Sequence, residues 1–111
     1  MIRRMVRRRA QYRYGRRGEI KIANRLRKKG YSVKVSEGSR GAADIIAHKG
    51  GRKYAIQAKR TRKTQSPRVS PDNLRRLKIS ARRQNATPVI AKMIRGKVSY
   101  ESARINRKIR P

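Results

Sequence analysis

Residues 43–60 read ADIIAHKGGRKYAIQAKR, and the way this stretch pairs with itself decides the fold. Apolar runs lie on both sides of Gly50-Gly51, a dipeptide suited to a tight turn. Ala42 to Ala47 reads as a strand, His48 to Arg52 as a hairpin loop, and Arg52 to Arg60 as the returning strand. Two placements inside the hairpin are unexpected for the composition. The chain carries 35 Lys and Arg against 5 Asp and Glu, a formal charge of +30, yet one of those acids, Asp44, stands directly before two isoleucines. On the returning strand Gln57 and Lys59 occupy alternate positions and so project from one face.

Working outward, Gly18 to Lys29 has the spacing of a helix, with Ile20, Ala23 and Leu26 as its stripe, Ile22 beside them and Gly30 as its stop. Tyr31 to Val35 alternates as a strand with one buried face. Beyond the hairpin, Thr61 to Ser70 is a polar, basic loop, and Ser70-Pro71-Asp72 opens a second helix that ends near Asn85. Leu74, Leu77, Ile79 and Ala81 mark its buried side. Pro88 to Ile94 is a fourth strand, turned by Arg95-Gly96 into a short fifth at Lys97 to Tyr100. The order α-β-β-β-α-β-β predicts an α/β domain, with a mixed sheet of about five strands flanked by helices. The expected organisation is a basic, irregular N-terminal arm at 1–17, a domain at 18–100 and a basic tail at 101–111.

Composition narrows the partners. A length of 111 residues fits one domain. The absence of Cys removes disulfides, thiolate metal sites and Cys nucleophiles. No apolar run approaches the roughly 18 residues of a membrane span, and the basic N-terminus lacks the apolar region of a secretory signal. These readings point to a cytoplasmic protein, nucleoid-associated if prokaryotic, with no membrane partner. A charge this dense demands a polyanion, and nucleic acid, bound through its phosphates, is the expected one.

The hairpin carries the chemistry. Pairing of its strands brings Asp44 toward Gln57 and Lys59, and the first helix can bring Glu19 to the same edge. Mg²⁺ takes oxygen ligands, commonly one or two carboxylates with water and substrate phosphate. Glu19, Asp44, the Gln57 Oε1 atom and the Ala58 carbonyl form such a set, with Lys59 placed to assist an attacking water or the charge on phosphorus. No small-molecule cofactor is implied.

These residues, in this order, resemble the PD-(D/E)XK nuclease superfamily, and within it the archaeal Holliday junction resolvases. The likeness runs from about Gly15 to Ile94: Gly18-Glu19, Lys29-Gly30-Tyr31-Ser32-Val33, Gly38-Ser39-Arg40-Gly41 leading to Asp44-Ile-Ile-Ala47, Gln57-Ala58-Lys59, the second helix and Val89-Ile-Ala91. The resemblance implies a restriction endonuclease-like fold and a homodimer that makes paired, Mg²⁺-dependent nicks in four-way DNA junctions, with Mn²⁺ as a substitute. It puts Glu19, Asp44, Gln57 and Lys59 at catalytic positions and Ser39 and Arg40 in a polar turn beside them. Together with the charge pattern it assigns phosphate contacts to Arg40, Arg60, Arg62 and Lys63, with Arg16 and Arg17 of the arm adding affinity. Two departures stand out. Ala43 replaces a frequent Pro, and Gln57 replaces the usual Glu, which removes one negative charge from the metal site. Restriction-type relatives use a Q-x-K version.

Each residue also has a plainer reading. Asp44 can cap a turn or pair with an arginine, Glu19 can be a first-turn helix acid favoured by the dipole, and Gln57 and Lys59 can be ordinary strand residues. His48 is expected to be exposed in the loop. Tyr12 and Tyr14 suit base stacking or an unstructured arm. Two rival functions follow: a non-catalytic DNA or ribosomal RNA clamp on a nuclease fold, and a restriction-type nuclease of duplex DNA.

Overall fold

The computed structural model describes residues 2–36, 43–62, 68–105 and 107–111. In chain order it forms α1 (Ile2–Lys28), β1 (Ser32–Val35), β2 (Ile45–Lys49), β3 (Arg52–Thr61), α2 (Pro71–Arg83), β4 (Thr87–Ile94), β5 (Lys97–Ser102) and β6 (Lys108–Ile109). The strands make one mixed sheet whose spatial order equals their chain order. All neighbours are antiparallel except β3 and β4, which run parallel because α2 returns the chain to the starting edge between them.

The predicted hairpin forms with a shorter loop. Lys49 pairs with Arg52, so only Gly50 and Gly51 turn, and His48 is an exposed strand residue rather than part of the loop. At the far end of the sheet Arg95 (φ 51°) and Gly96 (φ 81°) connect β4 to β5 with positive φ at both central positions, as a type I′ turn requires. α1 stops where Gly30 adopts φ +93°. There the Tyr31 N–H donates to the Leu26 carbonyl and the Gly30 N–H to Arg27, the Schellman pattern. α2 starts as read: the Ser70 Oγ accepts from the Asn73 N–H at 3.2 Å, with Pro71 in the first turn.

The sheet is covered on both faces. Against one face α1 buries Ile22, Ala23 and Leu26 on Ile45, Ile56, Val89, Ala91 and Met93. Against the other, α2 sets Leu77 and Ala81 among Ala43, Ala55, Ala86 and Ala103. Among the described residues, the buried members of this cluster are alanines apart from Leu77, with Ile46, Leu74 and Ile90 partly buried against them.

Three expectations are corrected. Residues 1–14, expected to be irregular for want of an apolar stripe, are helical from Ile2 onward. Arg, Met, Ala and Gln favour helix through intrinsic propensity, with no amphipathic pattern needed. Ile20 and Ile79, expected on the buried stripes, are 42% and 47% exposed. Each lies two residues from a fully buried position, which is roughly 200° around a helix. The tail at 101–111 contributes the end of β5 and a sixth strand, whose two residues are too few for alternation to reveal.

Candidate active site

Ladder pairing between β2 and β3 ends at Ile45–Ile56, and Asp44 lies one step beyond. Its N–H still donates to the Ile56 carbonyl at 2.8 Å, and its Oδ2 then accepts the Ala58 N–H at 3.0 Å. The carboxylate thus takes the place of the next strand carbonyl. Asp44 is 9% exposed, and this bond goes to a strand N–H of β3 rather than to a turn. Because the N–H and C=O of a strand residue point the same way, the Ala58 carbonyl is directed to the same edge.

Gln57 is 5% exposed, and its Oε1 is buried with no hydrogen-bond partner among the described residues. An unsatisfied buried acceptor costs about 1–3 kcal/mol, and strand alternation puts it on the same face as Lys59, which is half-buried. A cation would satisfy this oxygen.

Glu19 arrives by a close approach of α1 to β3. A Cβ added at Gly18 would meet the Arg60 side chain at 2.9 Å, so any larger residue would force that side chain aside. Glu19 lies well inside α1 rather than in a first turn, which removes the dipole explanation for it. Its carboxyl is pushed above the ordinary 4.5, first by burial and next by the charge of Asp44, against the lowering effect of Arg16. Two carboxylates close enough for Asp44 to raise Glu19, with an orphaned amide oxygen on the neighbouring strand, form a donor set of the kind a hard divalent cation takes. No group of three His, Cys, Asp or Glu side chains converges among the described residues, so Gln57 and Ala58 are needed to complete it.

The basic residues divide. Arg16 does not project freely: its Nη1 lies 3.3 Å from Glu19 Oε2 and 2.9 Å from the Ser36 carbonyl. Arg17 is exposed. Arg60 donates to the Tyr14 carbonyl at 3.0 Å, and the Arg60 and Arg62 guanidinium groups lie 4.0 and 4.4 Å from the centre of the Tyr14 ring. Tyr14 therefore organises the cationic end of β3. Its position one turn before Gly18 was the available signal, since residues four apart share a helix face. Ser39, Arg40 and Lys63 lie outside the described residues. A cavity of about 510 Å³, lined by Arg75, Lys78, Ile79, Arg82, Pro88 and Arg104, shares no residue with the acid cluster.

The family model described as archaeal Holliday junction resolvase matches residues 10–108, nearly the whole chain. The chain belongs to the archaeal Holliday junction resolvase family. Membership places it among junction-resolving endonucleases with a restriction endonuclease-like fold. Among solved structures it is similar to Archaeoglobus fulgidus Hjc, a Holliday junction resolvase from an archaeal hyperthermophile, with a TM-score of 0.74 and 23% identity. That match covers 81% of this chain and 78% of the other. No curated protein sequence matches.

Proposed function

We propose that this resolvase is a Mg²⁺-dependent endonuclease of four-way DNA junctions, with Mn²⁺ as an acceptable substitute. The observation that carries the metal is the buried, unpartnered Gln57 Oε1 beside a mutually repelling carboxylate pair. Glu19, Asp44, Gln57 and the Ala58 carbonyl would hold the ion, which supplies Lewis-acid polarisation of the phosphodiester and an acidified water. Lys59, on the Gln57 face, orients the attacking water and offsets charge developing on the phosphoryl oxygens. Asp44 also fixes β3 through the Ala58 N–H, so it sets the position of the groups around it. Arg60 and Arg62, held against Tyr14, bind phosphate next to the cut, with Arg17, Arg40, Lys63 and the N-terminal half of α1 extending the contact. Ser39 belongs to the same site by family position.

Two nicks placed symmetrically across a junction need two sites, so the active species is a homodimer acting in the cytoplasm. No helix among the described residues is long and apolar enough to cross a membrane.

One feature favours a second reading. Gln57 lowers the site's negative charge in a chain of net charge +30, which suits a nucleic-acid clamp that has kept the nuclease shape. Incubation of the purified protein with a labelled four-way junction and Mg²⁺ or Mn²⁺ separates the two. Paired nicks that vanish in Asp44→Asn and Lys59→Ala, with junction binding retained, support the enzyme. Full cleavage by Lys59→Ala removes the assigned role of Lys59, and binding without cleavage under any metal supports the clamp. A linear duplex cut as readily as the junction supports a restriction-type nuclease.

A further inference from the structure

Arg16 touches the acid cluster from inside the fold. It lies one helical turn before Glu19, on the same face of α1, and its Nη1 is shared between Glu19 Oε2 at 3.3 Å and the Ser36 carbonyl at 2.9 Å. Ser36 in turn donates its N–H to the Asp44 carbonyl at 2.8 Å. The guanidinium is therefore tied to Glu19 directly and to the Asp44 backbone through Ser36. The pair is also sheltered: the Arg16 and Glu19 side chains are 25% and 20% exposed, against 50% or more for the Asp72 ion pairs on α2. Shelter weakens screening by water and salt.

We propose that Arg16 is the resident counter-ion of this cluster: it holds the Glu19 carboxylate while no divalent cation is bound, and it competes with such a cation for that carboxylate. The proposal rests on the reading of Glu19 and Asp44 as a metal-binding pair. With Gln57 neutral, Glu19 and Asp44 carry the negative charge of the cluster, and the Arg16 guanidinium offsets that of Glu19. A guanidinium does not deprotonate, so it can yield to an incoming cation only by moving. Arg16 thus sets how tightly the site takes a divalent ion. Its immediate neighbour Arg17 is exposed and provides the comparison, because its loss changes the net charge by the same amount without touching the cluster.

The test is a Mn²⁺ titration of the DNA-free protein, followed by the electron paramagnetic resonance signal of free Mn²⁺ at fixed ionic strength. Arg16→Gln should bind Mn²⁺ about threefold more tightly than wild type or better, the scale set by a partly sheltered ion pair. Arg16→Lys, which keeps the charge, and Arg17→Gln should both stay within about twofold of wild type on the same scale. Circular dichroism checks the fold. If Arg16→Gln does not fold, Arg16→Met, which keeps an unbranched aliphatic stem, must show the same tightening. Binding by the folded, charge-free Arg16 variant that is no tighter than that of Arg17→Gln overturns the proposal. Asp44→Asn, made in both wild-type and Arg16→Gln backgrounds, separates the underlying reading. If Mn²⁺ binding survives it, Glu19 and Asp44 are not the metal pair. If binding is lost but Arg16→Gln gave no gain, only the role of Arg16 fails.

Discussion

Gln57→Glu restores the acid that the family usually carries, and the structure sets the size of its effect. The new carboxyl would sit at a position that is 5% exposed, between Ile56, whose carbonyl accepts the Asp44 N–H, and Ala58, whose N–H donates to the Asp44 carboxylate. Side chains on adjacent strands at such a strand end come within roughly 5 Å of one another. Two unit charges at that separation repel by about 3 kcal/mol at an effective dielectric constant of about 20. Protonation of the new group limits the cost: holding a carboxyl neutral at pH 7 takes no more than about 3.7 kcal/mol from its ordinary pKa. The metal-free variant should therefore melt about 10–20 °C below wild type at pH 7. The same added charge attracts a divalent ion more strongly than it repels Asp44, so Mn²⁺ affinity should rise by roughly one to two orders of magnitude. Saturating Mn²⁺ should then recover most of the lost melting temperature. Differential scanning fluorimetry in chelator and in Mn²⁺, with a direct Mn²⁺ titration, measures both halves. A variant as stable as wild type in chelator, with unchanged Mn²⁺ affinity, would refute the placement of Gln57 beside the acid pair.

Other perturbations test separate parts of the molecule. Burial and the charge of Asp44 raise the Glu19 carboxyl above 4.5, so the native state binds the extra proton and its stability falls as pH rises from about 4.5 through the native pKa. Metal-free Glu19→Gln should lack that loss, and denaturant titrations between pH 4.5 and 7 that show the same slope for both proteins contradict the assignment. Tyr14→Leu should weaken junction binding by about threefold or more, by releasing the Arg60 and Arg62 guanidinium groups. Its salt dependence should hardly change, whereas Arg62→Ala should reduce the slope of log K against log salt by about 0.9, the value for one lost phosphate contact. Leu77→Ala should cost about 2–5 kcal/mol in denaturant melts, because an alanine-lined layer offers little that can collapse into the space.

The parts of this fold that were legible are those written in short periods. The Asp44–Lys59 hairpin announces itself through alternation and paired glycines, and the Ser70-Pro71 start of α2 through its capping chemistry. What escaped depends on contacts distant in sequence or on propensity without pattern. The Arg-rich start of α1 has no apolar stripe to read, and β6 is two residues long. Ile20 and Ile79 mislead because an aliphatic residue beside a buried stripe looks like a member of it. The candidate site was half legible: residue types and order gave Glu19, Asp44, Gln57 and Lys59 as a set. Only coordinates show that Gln57 Oε1 lacks a partner, that Asp44 is tied to Ala58, and that Arg16 sits on Glu19 with Ser36, twenty residues away, as its second anchor.

The electrostatics of the whole chain bear on how such a site fills. Among the described acids, Asp72 faces Arg75 and Arg76, Glu101 faces Lys92, and Glu19 faces Arg16 while also being raised by Asp44. A net charge of +30 concentrates anions around the protein and depletes divalent cations. Free of nucleic acid, the acid pair must recruit its ion against that field, against Arg16 and without a third carboxylate at position 57. Bound DNA reverses every one of these conditions: its phosphates neutralise the field, offer Arg16 another anion and supply further oxygen ligands. Metal and DNA should therefore raise each other's affinity by the same factor, as linkage requires. On that reasoning Gln57 need not weaken the enzyme in action, because the charge it omits is delivered by the substrate.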